Sequence, residues 1–286
     1  MRIFAANINF INNFKTLQQM KTKIKNLLGA AIMMVLPLSF TSCDDILGSW
    51  ERPVADVYTS TTFKVFNPHT NRYEKMDLSI YNFTKLNPSN VAGLLSSGLS
   101  AGKYIVEGNV NYNGDVNVGG DGKLELYIQD NASLTITGGL NAGDIEGIII
   151  AGQKDGSGKL TITNDGDGIT AKNLTVDGGN LTVEGGGHGV KLGNEGTLTV
   201  NGGDHTIKGN GTTGSAINGN LVFNNGCLVA NGSTAPVISG EWTLAKGTQL
   251  RDLTTGETES ADGGGYTGSF LSRFFMEIER ILKDRF

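Results

Sequence analysis

Between Leu174 and Ala230, apolar and polar side chains alternate in short phrases that return at a nearly fixed interval. Leu-Thr-Val-Asp at 174 comes back as Leu-Thr-Val-Asn at 198 and Leu-Val-Phe-Asn at 221. Seven residues after each stand Leu-Thr-Val-Glu at 181, His-Thr-Ile-Lys at 205 and Leu-Val-Ala-Asn at 228. Both series step by 24 and then 23 residues. Alternation sends Leu174 and Val176 to one side and Thr175 and Asp177 to the other, the period of a half-buried strand. A strand-bearing repeat of this length predicts a solenoid, since propeller blades need about 40 residues or more.

The same pattern extends outward in both directions. Tyr104-Ile-Val, Gly114-Asp-Val-Asn-Val and Leu124-Glu-Leu-Tyr-Ile read as earlier strands, Leu134-Thr-Ile-Thr and Leu160-Thr-Ile-Thr open further turns, and Trp242-Thr-Leu starts a last one ending near Leu250. The expectation is an all-β fold: a parallel β-helix over residues 104–250 with about six rungs. Residues 50–103, richer in aromatics and proline, read as an N-terminal β cap. Strands are expected at Thr62–Phe66 and Met76–Phe83 around the turn residues Asn67-Pro68-His69-Thr70-Asn71, with a short helix from Val91 to Leu99. Residues 251–269 read as a linker. From 270 to 286, apolar residues at 270, 271, 274, 275, 278, 281, 282 and 286 predict an amphipathic C-terminal helix packed on the last rung.

The chain has 42 Gly in 286 residues without a triplet period, so glycine reads as corner material. Asp177-Gly178-Gly179, Asn201-Gly202-Gly203 and Asn225-Gly226 sit 24 residues apart, which predicts a ladder of Asp177, Asn201 and Asn225 along one edge.

Residues 1–42 carry a targeting segment, with Met20 as an alternative start. Lys21, Lys23 and Lys25 precede the apolar run Leu27 to Leu38, too short to span a bilayer. Leu38-Ser39-Phe40-Thr41-Ser42-Cys43 resembles the lipobox of bacterial lipoproteins, with Phe40 departing from the usual Leu. The resemblance implies lipidation of Cys43, a short linker over 43–49 and a place on the outer membrane. Asp44-Asp45 resembles an export signal of surface lipoproteins, implying display at the cell surface.

Residues 104–249 hold 15 Asp and Glu against 7 Lys, and no Arg lies between Arg72 and Arg251. That balance argues against nucleic acid and against acidic polymers as partners. Gly152-Gln-Lys-Asp-Gly-Ser-Gly-Lys-Leu-Thr-Ile-Thr, the run Asp165-Gly-Asp-Gly-Ile-Thr-Ala-Lys-Asn-Leu-Thr-Val-Asp-Gly-Gly and Gly187-His-Gly-Val-Lys-Leu resemble carbohydrate-binding β-helix domains of bacterial surface proteins. What this implies is a right-handed parallel β-helix and a non-catalytic carbohydrate-binding or adhesion module for polysaccharide or host-matrix glycan, in some relatives with Ca²⁺ at acidic corners. Asp165 and Asp167 with Asp144 or Glu146 are the candidate Ca²⁺ ligands, because that ion collects six to eight oxygens.

Thr135, Thr161, Thr182 and Thr206 are expected in one outward column and Thr175 and Thr199 in another. With Asp177, Asn201 and Asn225 they form the candidate ligand surface. Two alternatives remain. Asn164-Asp165-Gly166-Asp167 one rung before Gly187-His188-Gly189 resembles part of the polygalacturonase pattern, which points to a polysaccharide-degrading enzyme using Asp165, Asp167 and His188. A purely structural surface or assembly protein is the other.

Overall fold

The computed structural model describes residues 62–67, 72–77, 83–153, 156–233, 236–252, 258–260, 266–271 and 275–280. Its body is an all-β parallel coil of about seven turns. Each turn visits three faces. The phrases at 174, 198 and 221 lie on the first face, paired Leu174 to Leu198 and Leu198 to Leu221. Those at 181, 205 and 228 lie on the second, paired Leu181 to His205 and His205 to Leu228. A third, narrow face stacks Leu140, Ile169, Val190, Ile217 and Ile238.

The inward residues of all three faces form one continuous core. Leu134, Leu160, Leu174, Leu181, Leu198, Leu221 and Leu228 are each at most 1% exposed, and burial of a side chain of that size contributes about 1.5–3 kcal/mol. Stacking like on like lets successive rungs interdigitate, which is why one phrase can be reused at a fixed interval. The corners between first and second face turn through Gly178, Gly203 and Gly226, with φ of 91°, 95° and 99°. A methyl group on Gly203 would collide with the carbonyl of Gly179 in the rung before.

The coil starts earlier than the sequence pattern indicates. Strand Thr84–Leu86 already pairs in parallel with Tyr104–Val106, which adds a turn to the expected six. Helix Val91–Ser96 occupies the place of a second-face strand in that first turn and buries Val91 and Leu95 in the core. It plugs the end of the coil that would otherwise expose strand edges. Leu99, expected to end the helix, instead begins strand Leu99–Val106.

The expected cap hairpin forms between Thr62–Asn67 and Arg72–Asp77. Its second strand starts earlier than expected, and 78–82 lie outside the described residues. Strand Thr62–Asn67 lies alongside the first-face strand Gly147–Gly152 and alongside Leu174–Gly185, which spans the first and second faces, on the flank of the coil rather than its end. Ile105, Tyr127 and Ala151 point out of this face yet are buried, with Phe83 packed against them; the Phe83 and Tyr127 rings meet edge to face at 5.1 Å.

The C-terminal region corrects two expectations. In place of a linker, strands Thr248–Asp252 and Thr258–Ser260 pair antiparallel. In place of a helix, strand Tyr266–Leu271 pairs with Ile238–Leu244, and strand Phe275–Arg280 pairs antiparallel with both Cys227–Gly232 and Thr248–Asp252. Phe275–Arg280 thus sits as a wedge between two coils of the second face, while on the first face Leu221 and Trp242 remain direct neighbours. The physical reason is the local period. Met276-Glu277-Ile278-Glu279 alternates strictly, and Ile278 is fully buried, so pairing on both edges outweighs the weaker helical spacing. Residues 281–286 lie outside the description, as do 1–49 with Cys43. Among the described residues no helix is long and apolar enough to cross a membrane.

Candidate functional site

The second face carries the expected threonine column. Thr135 pairs with Thr161, Thr161 with Thr182, and Thr182 with Thr206, each at the same register position. Their neighbours Leu134, Leu160, Leu181 and His205 are buried, so strand alternation turns the four hydroxyls outward; Thr182 is exposed and the others partly so. Thr175 and Thr199 also pair, but on the first face, which the hairpin flanks further along. On the second face Thr137, Thr163 and Thr182 are exposed, which makes its strands from Ser133 to Gly185 open to solvent.

The corner ladder forms with one substitution of place. The Asn201 side-chain amide donates to Asp177 at 2.7 Å, and Asn224, rather than Asn225, donates to Asn201 at 2.8 Å. The second step of the repeat is 23 residues, so the residue that stacks is one earlier. Asn201 is 3% exposed, which removes it from any surface that an outside ligand touches. Burial raises the Asp177 carboxyl above its ordinary value, and the hydrogen bond from Asn201 offsets only part of this. These residues hold rungs together.

Asp165, Asp167 and His188 lie where the second face turns into the third. Asp167 accepts the His188 backbone N–H at 2.9 Å through Oδ1 and pairs with Lys191 at 2.9 Å through Oδ2. Burial alone would raise its pKa. The His188 N–H and the hydrogen bond and charge of Lys191 outweigh burial and leave it below the ordinary carboxylate value. A general acid needs the opposite shift. His188 Nδ1 accepts the Ser215 N–H at 3.1 Å, and its Nε2 lies 3.2 Å from the Asn218 side-chain nitrogen. Two rungs earlier at the same corner, Asp115 accepts the Gly139 N–H at 2.7 Å. The repeated role is that a corner side chain on one rung satisfies a backbone donor on the next.

The four carboxylates proposed for Ca²⁺ are not brought together. Asp144 and Glu146 precede the first-face strand Gly147–Gly152, whereas Asp165 and Asp167 follow the second-face strand Lys159–Asn164, so the two pairs belong to different corners. Lys172 occupies the Asp144 carbonyl at 2.9 Å. Among the described residues no three His, Cys, Asp or Glu side chains converge on one point.

No family model, curated protein or solved structure matches this chain.

Residues the sequence pattern left out also belong to the open face. Thr137 and Thr163 pair two residues beyond Thr135 and Thr161 and are both exposed. Their signal was the final residue of Leu-Thr-Ile-Thr, which keeps the outward parity. Chemically the face offers many hydroxyl and amide groups, each both donor and acceptor, on a rigid support.

Proposed function

We propose that this chain is a non-catalytic carbohydrate-binding or adhesion module, anchored to the outer membrane through a lipid on Cys43 and displayed at the cell surface. The observation that carries this reading is the in-register column Thr135, Thr161, Thr182 and Thr206 on the open second face. Hydroxyl-rich ligands are met by groups that donate and accept, and a neutral sugar polymer escapes the repulsion that the coil's acidic balance imposes on polyanions. The leader pattern supports the anchor, with the membrane touched only through the lipid. Carboxylate and imidazole at the enzyme-like corner are committed to backbone and Lys191 partners, which favours binding over hydrolysis.

The test is a glycan array probed with the Cys43→Ala chain, which carries no lipid, followed by product analysis on each hit. Retention of neutral glycans without release of sugar is expected. Sugar release that disappears in Asp167→Asn would establish the hydrolase alternative, and an array without hits would favour a purely structural protein.

A further inference from the structure

The second face is a lattice rather than a single column. From strand Asn109–Asn113 to strand Cys227–Gly232 the pairings on this face run without a register shift, through six stacked strands. Each strand has three outward positions, spaced about 6.6 Å along the strand and about 4.8 Å from rung to rung, all at least partly exposed except Cys227 on the last strand, which is 2% exposed. None of these outward positions is aromatic. Their charges cancel, with Lys159 and Lys208 balanced by Glu184 and Asp204, although the coil as a whole is acidic.

These features decide between kinds of carbohydrate. A short soluble oligosaccharide is held in a concave site or on aromatic rings, and this face of in-register strands supplies no rings. Each hydroxyl contact with an exposed Thr yields about 1 kcal/mol or less, while a flexible sugar chain loses conformational freedom at every residue that binds. For a solid whose chains are already ordered that loss is prepaid, and contacts repeated at a matching interval add together. The rung spacing of about 4.8 Å suits a rigid polymer that presents hydroxyls at a comparable interval, and the balanced charge of the lattice matches an uncharged one.

We infer that the occupant of the second face is the ordered surface of an insoluble, neutral polysaccharide made of extended β-linked chains, recognised by its periodicity. The inference rests on the reading of this face as a glycan-binding surface and narrows it to one physical form of ligand. The Cys43→Ala chain is mixed with microcrystalline cellulose and with chitin, and separately titrated with soluble cello- and chito-oligosaccharides. The comparison protein also carries Thr161→Val and Thr182→Val, which remove two hydroxyls but keep side-chain shape and strand preference; circular dichroism verifies its fold.

The expected result is retention on at least one solid, about ten- to thirty-fold weaker in the valine variant, with no comparable affinity for the soluble sugars. Equal affinity for soluble and solid forms would overturn the inference and leave glycan binding intact. Retention unchanged by the valines would overturn it by placing the contact on another face. Binding to neither form would overturn both this inference and the glycan-binding reading.

Discussion

Asn201 donates its side-chain amide to Asp177 at 2.7 Å across one rung, at a corner where Asn201 itself is buried. A carboxyl whose pKa is raised on folding contributes its stability below its unfolded pKa and loses it as pH rises through the folded value. Asn201→Asp sets a second carboxyl against the first. Its stability relative to the parent is expected to fall steadily from about pH 4 to pH 7 as both sites ionise. Urea unfolding across that range checks the slope, and a pH-independent difference would contradict it.

His205 occupies a core position held by Leu181 and Leu228 in the adjoining rungs. Its Nδ1 accepts the Leu181 N–H at 3.3 Å and its Nε2 donates to the Gly202 carbonyl at 2.8 Å, so the ring is neutral. Burial pushes its pKa down from 6.5 to about 4, against a smaller opposing effect of the Gly202 bond. The unfolded chain therefore binds the proton first as pH falls. Stability contributed by the neutral ring is complete above about pH 6.5 and lost between there and about pH 4, amounting to about 3 kcal/mol. Thermal melts over this window should show the loss, and His205→Leu should flatten it.

Gly203→Ala tests the corner geometry. With φ of 95° and the Gly179 carbonyl in the way, the methyl group cannot be accommodated in place. The expected cost is about 2 kcal/mol or more, read as a lowered urea midpoint. Gly156→Ala, at φ 65° but with open space around it, should cost less.

Cys43→Ala is expected to move the protein from the membrane fraction to the soluble fraction. Fractionation followed by immunoblotting reads this directly, and unchanged partitioning would refute lipid anchoring at this residue.

The parts of the fold legible in the sequence are those in which one rung copies another. Leu174, Leu198 and Leu221 declare the stack because each faces its copy. Thr135, Thr161, Thr182 and Thr206 follow from the same parity. Legibility fails where the copy changes. Thr84–Leu86 is a three-residue strand followed by a helix, so it has no phrase to match. Asn224 takes the ladder position expected of Asn225 because a 23-residue step slides the corner by one. At 275–280 two periods coexist in the same letters, and only the presence of partner strands on both sides decides between them. The acidic corners misled for a different reason: Asp144, Glu146, Asp165 and Asp167 are near in sequence, but the two strands between them, Gly147–Gly152 and Lys159–Asn164, put the pairs at different edges.

The wedge at Phe275–Arg280 sets an order of events during synthesis. Every earlier coil closes on a neighbour one repeat away, so the stack can grow from the Val91–Ser96 plug as the chain emerges. The separation of Cys227–Gly232 from Thr248–Asp252 cannot be filled until residues 275–280 have emerged. A nascent chain paused in that interval presents a bare strand edge to its neighbours. The final rung is thus a latch, set after the rest of the coil is already standing.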